Sequence, residues 1–276
     1  MTRRARSRLP AKLPDPIRDS APAERKPPSR IQRLKDSRVA GRSAHFDRDD
    51  VLDVMHALVG GDARARLGLP EFDRLTIDQA AAAAALIFGW DGDGPRARID
   101  PARTVEGFSA ACARVLEVAH GGGRLAFATA RPASLLGLHR ALAAEAWAAG
   151  GTVLSATQSA PVNPRGHRIW WTDGVATVTD GRTLLTDESR SAPEEWLFVL
   201  PQPDLVVADH WFAGVAAAVG LEVVAFADLD AMALAIASWR GLAVRVVPLD
   251  EHAAPQAYAP LLELLDEAVE ATTAIV

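Results

Sequence analysis

Lysine is almost missing from this chain. Of 276 residues only Lys12, Lys26 and Lys35 are lysine, and all three precede residue 43. Residues 43–276 therefore offer no amine for a Schiff base and no lysine for a Walker-type phosphate loop. Arginine is the one strong cation left there to bind an anion. A single cysteine, Cys112, excludes an internal disulfide. Set in an alanine-rich helical stretch, it reads as a small core residue rather than a nucleophile. No apolar run reaches 18 residues, so no transmembrane helix is expected. The basic N-terminus lacks the apolar segment of a secretory signal, which makes the cytoplasm the expected location. There is no Gly-x-Ser-x-Gly elbow. Gly121-Gly122-Gly123 precedes a strand, whereas a dinucleotide fingerprint follows one.

Charge divides the chain unevenly. Residues 1–42 hold thirteen Lys or Arg and four Asp or Glu, a net of +9, so the remainder carries −14 within a total of −5. This first segment is rich in Pro, Arg and Ser without apolar periodicity, and a disordered basic tail is expected over 1–42. A nucleic-acid-binding arm is disfavoured because the segment has no aromatic residue. Residues 43–120 carry helical periodicity, with Val51, Leu52, Met55, Leu58 and Val59 on one stripe. Thr76 is placed to cap a second helix and Asp100-Pro101 to start a third, and the whole is expected to pack as an N-terminal helical region on the main domain. From residue 121 to 276 short apolar runs alternate with amphipathic ones. That order predicts βαβ units and a mostly parallel sheet, interrupted by a hairpin at Asp173-Gly174. The fold class expected is α/β.

In such sheets ligands bind beyond the carboxyl ends of the strands. Those positions hold Thr129-Ala130-Arg131-Pro132, then Asp209-His210, Asp228-Leu229-Asp230 and Asp250-Glu251-His252. An acid at a strand end often does no more than cap the next helix, and Asp209 and Asp230 fit that role. Capping does not explain a histidine beside the acid twice, or acids after three successive strands. Clustered carboxylates repel unless a proton or cation sits among them. A divalent metal (Mg, Mn or Zn) held by Asp209, Asp228, Asp230 and Asp250 is therefore expected. Thr129, Arg131 and Ser134, at a helix start, suit the binding of an anion. Phe226–Asp230 imitates the start of a haloacid-dehalogenase-type phosphatase, but Met232 stands where that superfamily needs a hydroxyl, and no lysine follows.

Four stretches together resemble an actinobacterial family labelled phosphatase: Phe127–Leu136, Pro203–Gly214, Phe226–Ala233 and Val247–His252. The resemblance runs from about Arg38 to Glu263 and is most specific at Asp204–Gly214. It implies a Rossmann-like fold and a hydrolase. Two departures stand out: Ala130-Arg131-Pro132 where relatives tend to carry Gly-His-Pro, and Arg48-Asp49-Asp50-Val51 where they tend to carry Arg-Glu-Asn-Asn. The expected function is metal-assisted hydrolysis of a small phosphorylated metabolite, with His210 or His252 giving a proton to the leaving oxygen. The alternative is a non-catalytic binder of a nucleotide or phosphometabolite. Nothing in the residues sets the oligomeric state.

Overall fold

The computed structural model describes residues 28–157 and 159–273. Residues 1–27, most of the expected tail, lie outside them. The rest of that segment is folded, which corrects the expected boundary. Helix α1 (Arg30–Asp36) is capped by the Ser29 hydroxyl, and strand β1 (Gly41–Asp47) follows. Polar composition hid two apolar anchors, for Leu34 and Val39 are fully enclosed.

Helices α2 (Arg48–Val59), α3 (Ile77–Ile87) and α4 (Pro101–His120) form where periodicity placed them. Asp47 with Asp50, and Thr76 with Gln79, build reciprocal capping boxes at the first two. Asp100 accepts from the Ala102 N–H ahead of α4, with Pro101 at its first position. Strand β2 (Arg96–Ile99) is an addition to the expected helices. It pairs antiparallel with β1 in a two-stranded ribbon separate from the main sheet. Cys112 is enclosed within α4, and burial pushes its thiol up to about 12.

The remaining elements are β3 (Arg124–Ala128), α5 (Pro132–Ala148), β4 (Thr152–Val153), β5 (Arg168–Thr172), β6 (Val175–Thr179), β7 (Leu184–Leu185), α6 (Ser191–Val199), β8 (Leu205–Asp209), α7 (His210–Ala218), β9 (Val223–Ala227), α8 (Met232–Trp239), β10 (Val244–Pro248) and α9 (Ala259–Thr273). They form one eight-stranded sheet in the order β10-β9-β8-β3-β6-β5, with β4 beside β3 and β7 beside β6. The strands β10, β9, β8, β3 and β6 run parallel; β5 and β7 run antiparallel to β6. The expected hairpin is β5–β6, turned by Asp173 at φ 49° and Gly174 at φ 82°. The fold is a mostly parallel α/β sheet, as expected.

Every residue of β6, β8 and β9 is buried. Helices cover both faces, α4, α5 and α9 on one and α6, α7 and α8 on the other. Beyond the second layer, α3 packs on α8. After β3 the chain turns to α5 on one face; after its neighbour β8 it turns to α7 on the opposite face. Leaving adjacent strands in opposite directions opens a crevice past their carboxyl ends. One close approach steadies this end of the molecule. At Gly214 an added Cβ would lie 2.0 Å from the Leu67 carbonyl oxygen, so only glycine lets α7 lie against that loop.

Candidate active site

Arg131 ends the β3 loop and is nearly enclosed. Its guanidinium meets three carboxylates: Glu188 at 2.8 Å, Asp230 at 3.5 Å and Glu251 at 3.6 Å. Burial opposes its charge, but Glu251, Asp230 and Glu188 outweigh that and raise its pKa. Only Glu188 among the three is well exposed, at 58%. Two predicted anion contacts are committed elsewhere. The Thr129 hydroxyl accepts from the Arg131 N–H, and the Ser134 hydroxyl donates to the Glu251 carbonyl. They shape the loop that carries Arg131.

Asp209, the last residue of β8, does not cap α7. One carboxylate oxygen accepts from the Ala130 N–H at 2.7 Å, tying the β8 end to the β3 loop. The other lies 3.3 Å from His139 Nε2 of α5. His139 is fully enclosed. His210 follows at φ 44°, a left-handed conformation rare outside glycine and associated with functional turns. Its ring is enclosed and Nδ1 has no hydrogen-bond partner. Burial, then the nearby Arg131 charge, lowers its pKa to about 4, so it is neutral at pH 7.

The ends of β9 and β10 carry the rest. Asp228 is enclosed; one oxygen accepts from the Leu229 N–H and the other lies 3.5 Å from His252 Nδ1. Burial raises its pKa. Asp230 is likewise raised by burial, against the pull of Arg131. Glu251 is wholly enclosed with neither oxygen hydrogen-bonded. Burial first, and then the Asp209 and Asp230 charges, raise its pKa well above the carboxylate range. Asp250 accepts from the His252 N–H and sits 3.8 Å from His45 Nε2.

The four aspartates expected to share a metal are thus divided among different partners. Among the described residues, the group whose ligating atoms all lie within 4.8 Å of one another is His45, Asp250 and His252. The His45 and His252 rings are 4.8 Å apart. His45 comes from β1, more than two hundred residues away in sequence, and no local pattern announced it. His139 did leave a signal. With Leu135, Leu138, Leu142 and Ala146 it falls on the buried stripe of α5.

The phosphatase family matches this chain from residue 29 to residue 272. The chain belongs to that family. One curated relative, Phosphatase SCO2771 of Streptomyces coelicolor, is 34% identical over 252 residues, covering 86% of this chain and 95% of the relative. The family span contains the whole strand-end crevice of this phosphatase-family chain and also β1, so His45 lies inside it. A phosphorylated substrate follows from membership of the family. No helix of the described residues is long and apolar enough to cross a membrane.

Proposed function

We propose that this chain is a metal-assisted phosphohydrolase that takes a small phosphorylated metabolite at the carboxyl ends of β3, β8, β9 and β10. The reading rests on the charge imbalance there. Glu188, Asp230 and Glu251 share the single guanidinium of Arg131, while Asp209 and Asp228 lie close enough to act on Glu251, and Asp228 on Asp250. Carboxylates so placed need a proton or a cation among them. His45, Asp250 and His252 are the favoured ligands, and two imidazoles with one carboxylate suit Zn or Mn as well as Mg. Asp228, beside His252 Nδ1, supplies the carboxylate that orients a ligating imidazole. A bound divalent ion lowers the pKa of water and makes it a nucleophile at neutral pH.

Arg131 would hold the phosphate, with exposed Glu188 giving way to it. The water oxygen would attack phosphorus as the ester P–O bond breaks, and the proton given up by the water would be the one the leaving oxygen gains. Of the two histidines considered for that step, His210 is neutral, so it would polarise the leaving oxygen through an N–H rather than arrive as imidazolium.

Metal analysis of the purified protein, followed by a phosphate-release screen over phosphorylated metabolites, tests the proposal. Asp250→Asn should lose metal and hydrolysis together while secondary structure persists. A parent protein with no bound metal, no metal-stimulated release and no change in melting on chelation would overturn the enzyme and leave the binder of a nucleotide or phosphometabolite.

A further inference from the structure

A large cavity lies outside the strand-end crevice. It is an open groove of about 1280 Å³ between the end of α1, the β1–β2 ribbon and the start of α4. Lys35, Arg38, Arg42, Arg96 and Arg98 line it. Its one carboxylate, Asp100, is already spent capping α4. The concentration is pronounced because residues 43–276 carry a net −14.

The pairing of the ribbon makes this more than a solvated charged face. Arg42 and Arg98 are direct cross-strand partners. Like charges placed opposite one another in an antiparallel pair destabilise it. Arg98 is partly offset by Asp91 at 2.9 Å, and Arg96 faces the Asp47 charge. Lys35, Arg38 and Arg42 have no carboxylate partner among the described residues. Arg38 is also held at φ 63°, where a non-glycine residue is strained. Repulsion among these cations is relieved by an anion that several of them share.

We propose that this groove is a second anion site, for a small compound carrying two or more phosphate groups. Several cations around a concavity fit clustered phosphates better than one isolated phosphate. No aromatic side chain lines the groove, so the stacking platform used for nucleic-acid bases is missing from it. The proposal does not depend on hydrolysis at the strand ends.

Calorimetric titration of chelator-treated, full-length protein with tripolyphosphate tests it, with inorganic phosphate and duplex DNA as comparisons. The expected result is saturable 1:1 binding of tripolyphosphate, at least tenfold tighter than inorganic phosphate. It should weaken at least tenfold in Arg42→Gln and in Arg98→Gln and stay unchanged in Arg131→Ala. Arg42 and Arg98 are exposed, so both groove variants should keep the parent's circular dichroism. Absence of binding overturns the proposal, as does binding that survives both groove substitutions or is lost in Arg131→Ala. Duplex DNA binding more tightly than tripolyphosphate, and lost in Arg42→Gln, would give the groove to nucleic acid instead.

Discussion

Asp209 and His139 meet at 3.3 Å with both side chains shut away from solvent, one at the end of β8 and the other inside α5. The second Asp209 oxygen holds the Ala130 N–H. The residue therefore joins three elements: β8, the β3 loop and α5. It does none of the work of a helix cap. Asn caps as well as Asp, so a capping role would make Asp209→Asn harmless. Here the change should destabilise, because the new amide leaves a buried group badly paired, at a cost of about 1–3 kcal/mol. Metal content should stay that of the parent, since Asp209 lies outside the His45–Asp250–His252 group. Thermal unfolding and metal analysis of the same sample check both halves; a loss of metal without a loss of stability would return Asp209 to the ligands.

His210 should make the protein sensitive to mild acid. Its folded pKa, about 4, lies below the ordinary 6.5, because burial and Arg131 disfavour the imidazolium. Between those values the unfolded chain binds the proton and the folded one does not. The contribution is complete above about pH 6.5 and is lost as pH falls toward 4. At pH 5 the loss is about 2 kcal/mol. His210→Asn removes the titration and tolerates the left-handed backbone. Its melting temperature should fall less than the parent's between pH 7 and pH 5; parallel curves would refute the assignment.

Glu251→Gln should stabilise the protein in the presence of chelator. The wild-type side chain is fully enclosed, neither oxygen is hydrogen-bonded, and Asp209 and Asp230 repel it. The amide is nearly isosteric and carries no charge, and Arg131 retains Glu188 and Asp230. Single stabilising substitutions commonly gain about 0.5–2 kcal/mol, and a gain of that order is expected here. A lower melting temperature would mean that the Glu251–Arg131 contact outweighs the repulsion.

Removal of residues 1–40 should cost stability, in contrast to what the composition of that segment suggests. Leu34 and Val39 are completely buried. Each is worth about 1.5–3 kcal/mol. The Val39 carbonyl also accepts from the Asp250 N–H at 2.8 Å. A fall of roughly 10 °C is expected for a domain of this size. An unchanged melting temperature would show that the segment contributes nothing to the core.

What was legible in the residues follows a physical pattern. The main sheet was, because its buried strands read as short apolar runs and its helices carry caps such as Thr76 and Asp100. The rule that ligands collect at strand ends then located Arg131, Asp228, Asp230 and Asp250 without coordinates. The β1–β2 ribbon was not legible. It is short and largely exposed, and strands such as Arg96–Ile99 alternate too briefly to distinguish from loop. With it went His45, whose meeting with Asp250 and His252 exists only in three dimensions. Pairing within the site was also hidden: a list of strand-end acids cannot show that Asp209 turns to His139 while Asp228 turns to His252.

The ribbon pairs its strands only with each other, yet it carries one of the three favoured ligands. An ion seated between His45 and residues 250 and 252 would act as a rivet through two bodies that share no ladder. Occupancy would then be felt as local order. In ion-free protein the amides of β1 and β2 should exchange with solvent ahead of those in β8 and β9, and every tenfold gain in ion concentration above half-saturation should slow that opening by the same factor. The ribbon would report the filling of the site from its edge.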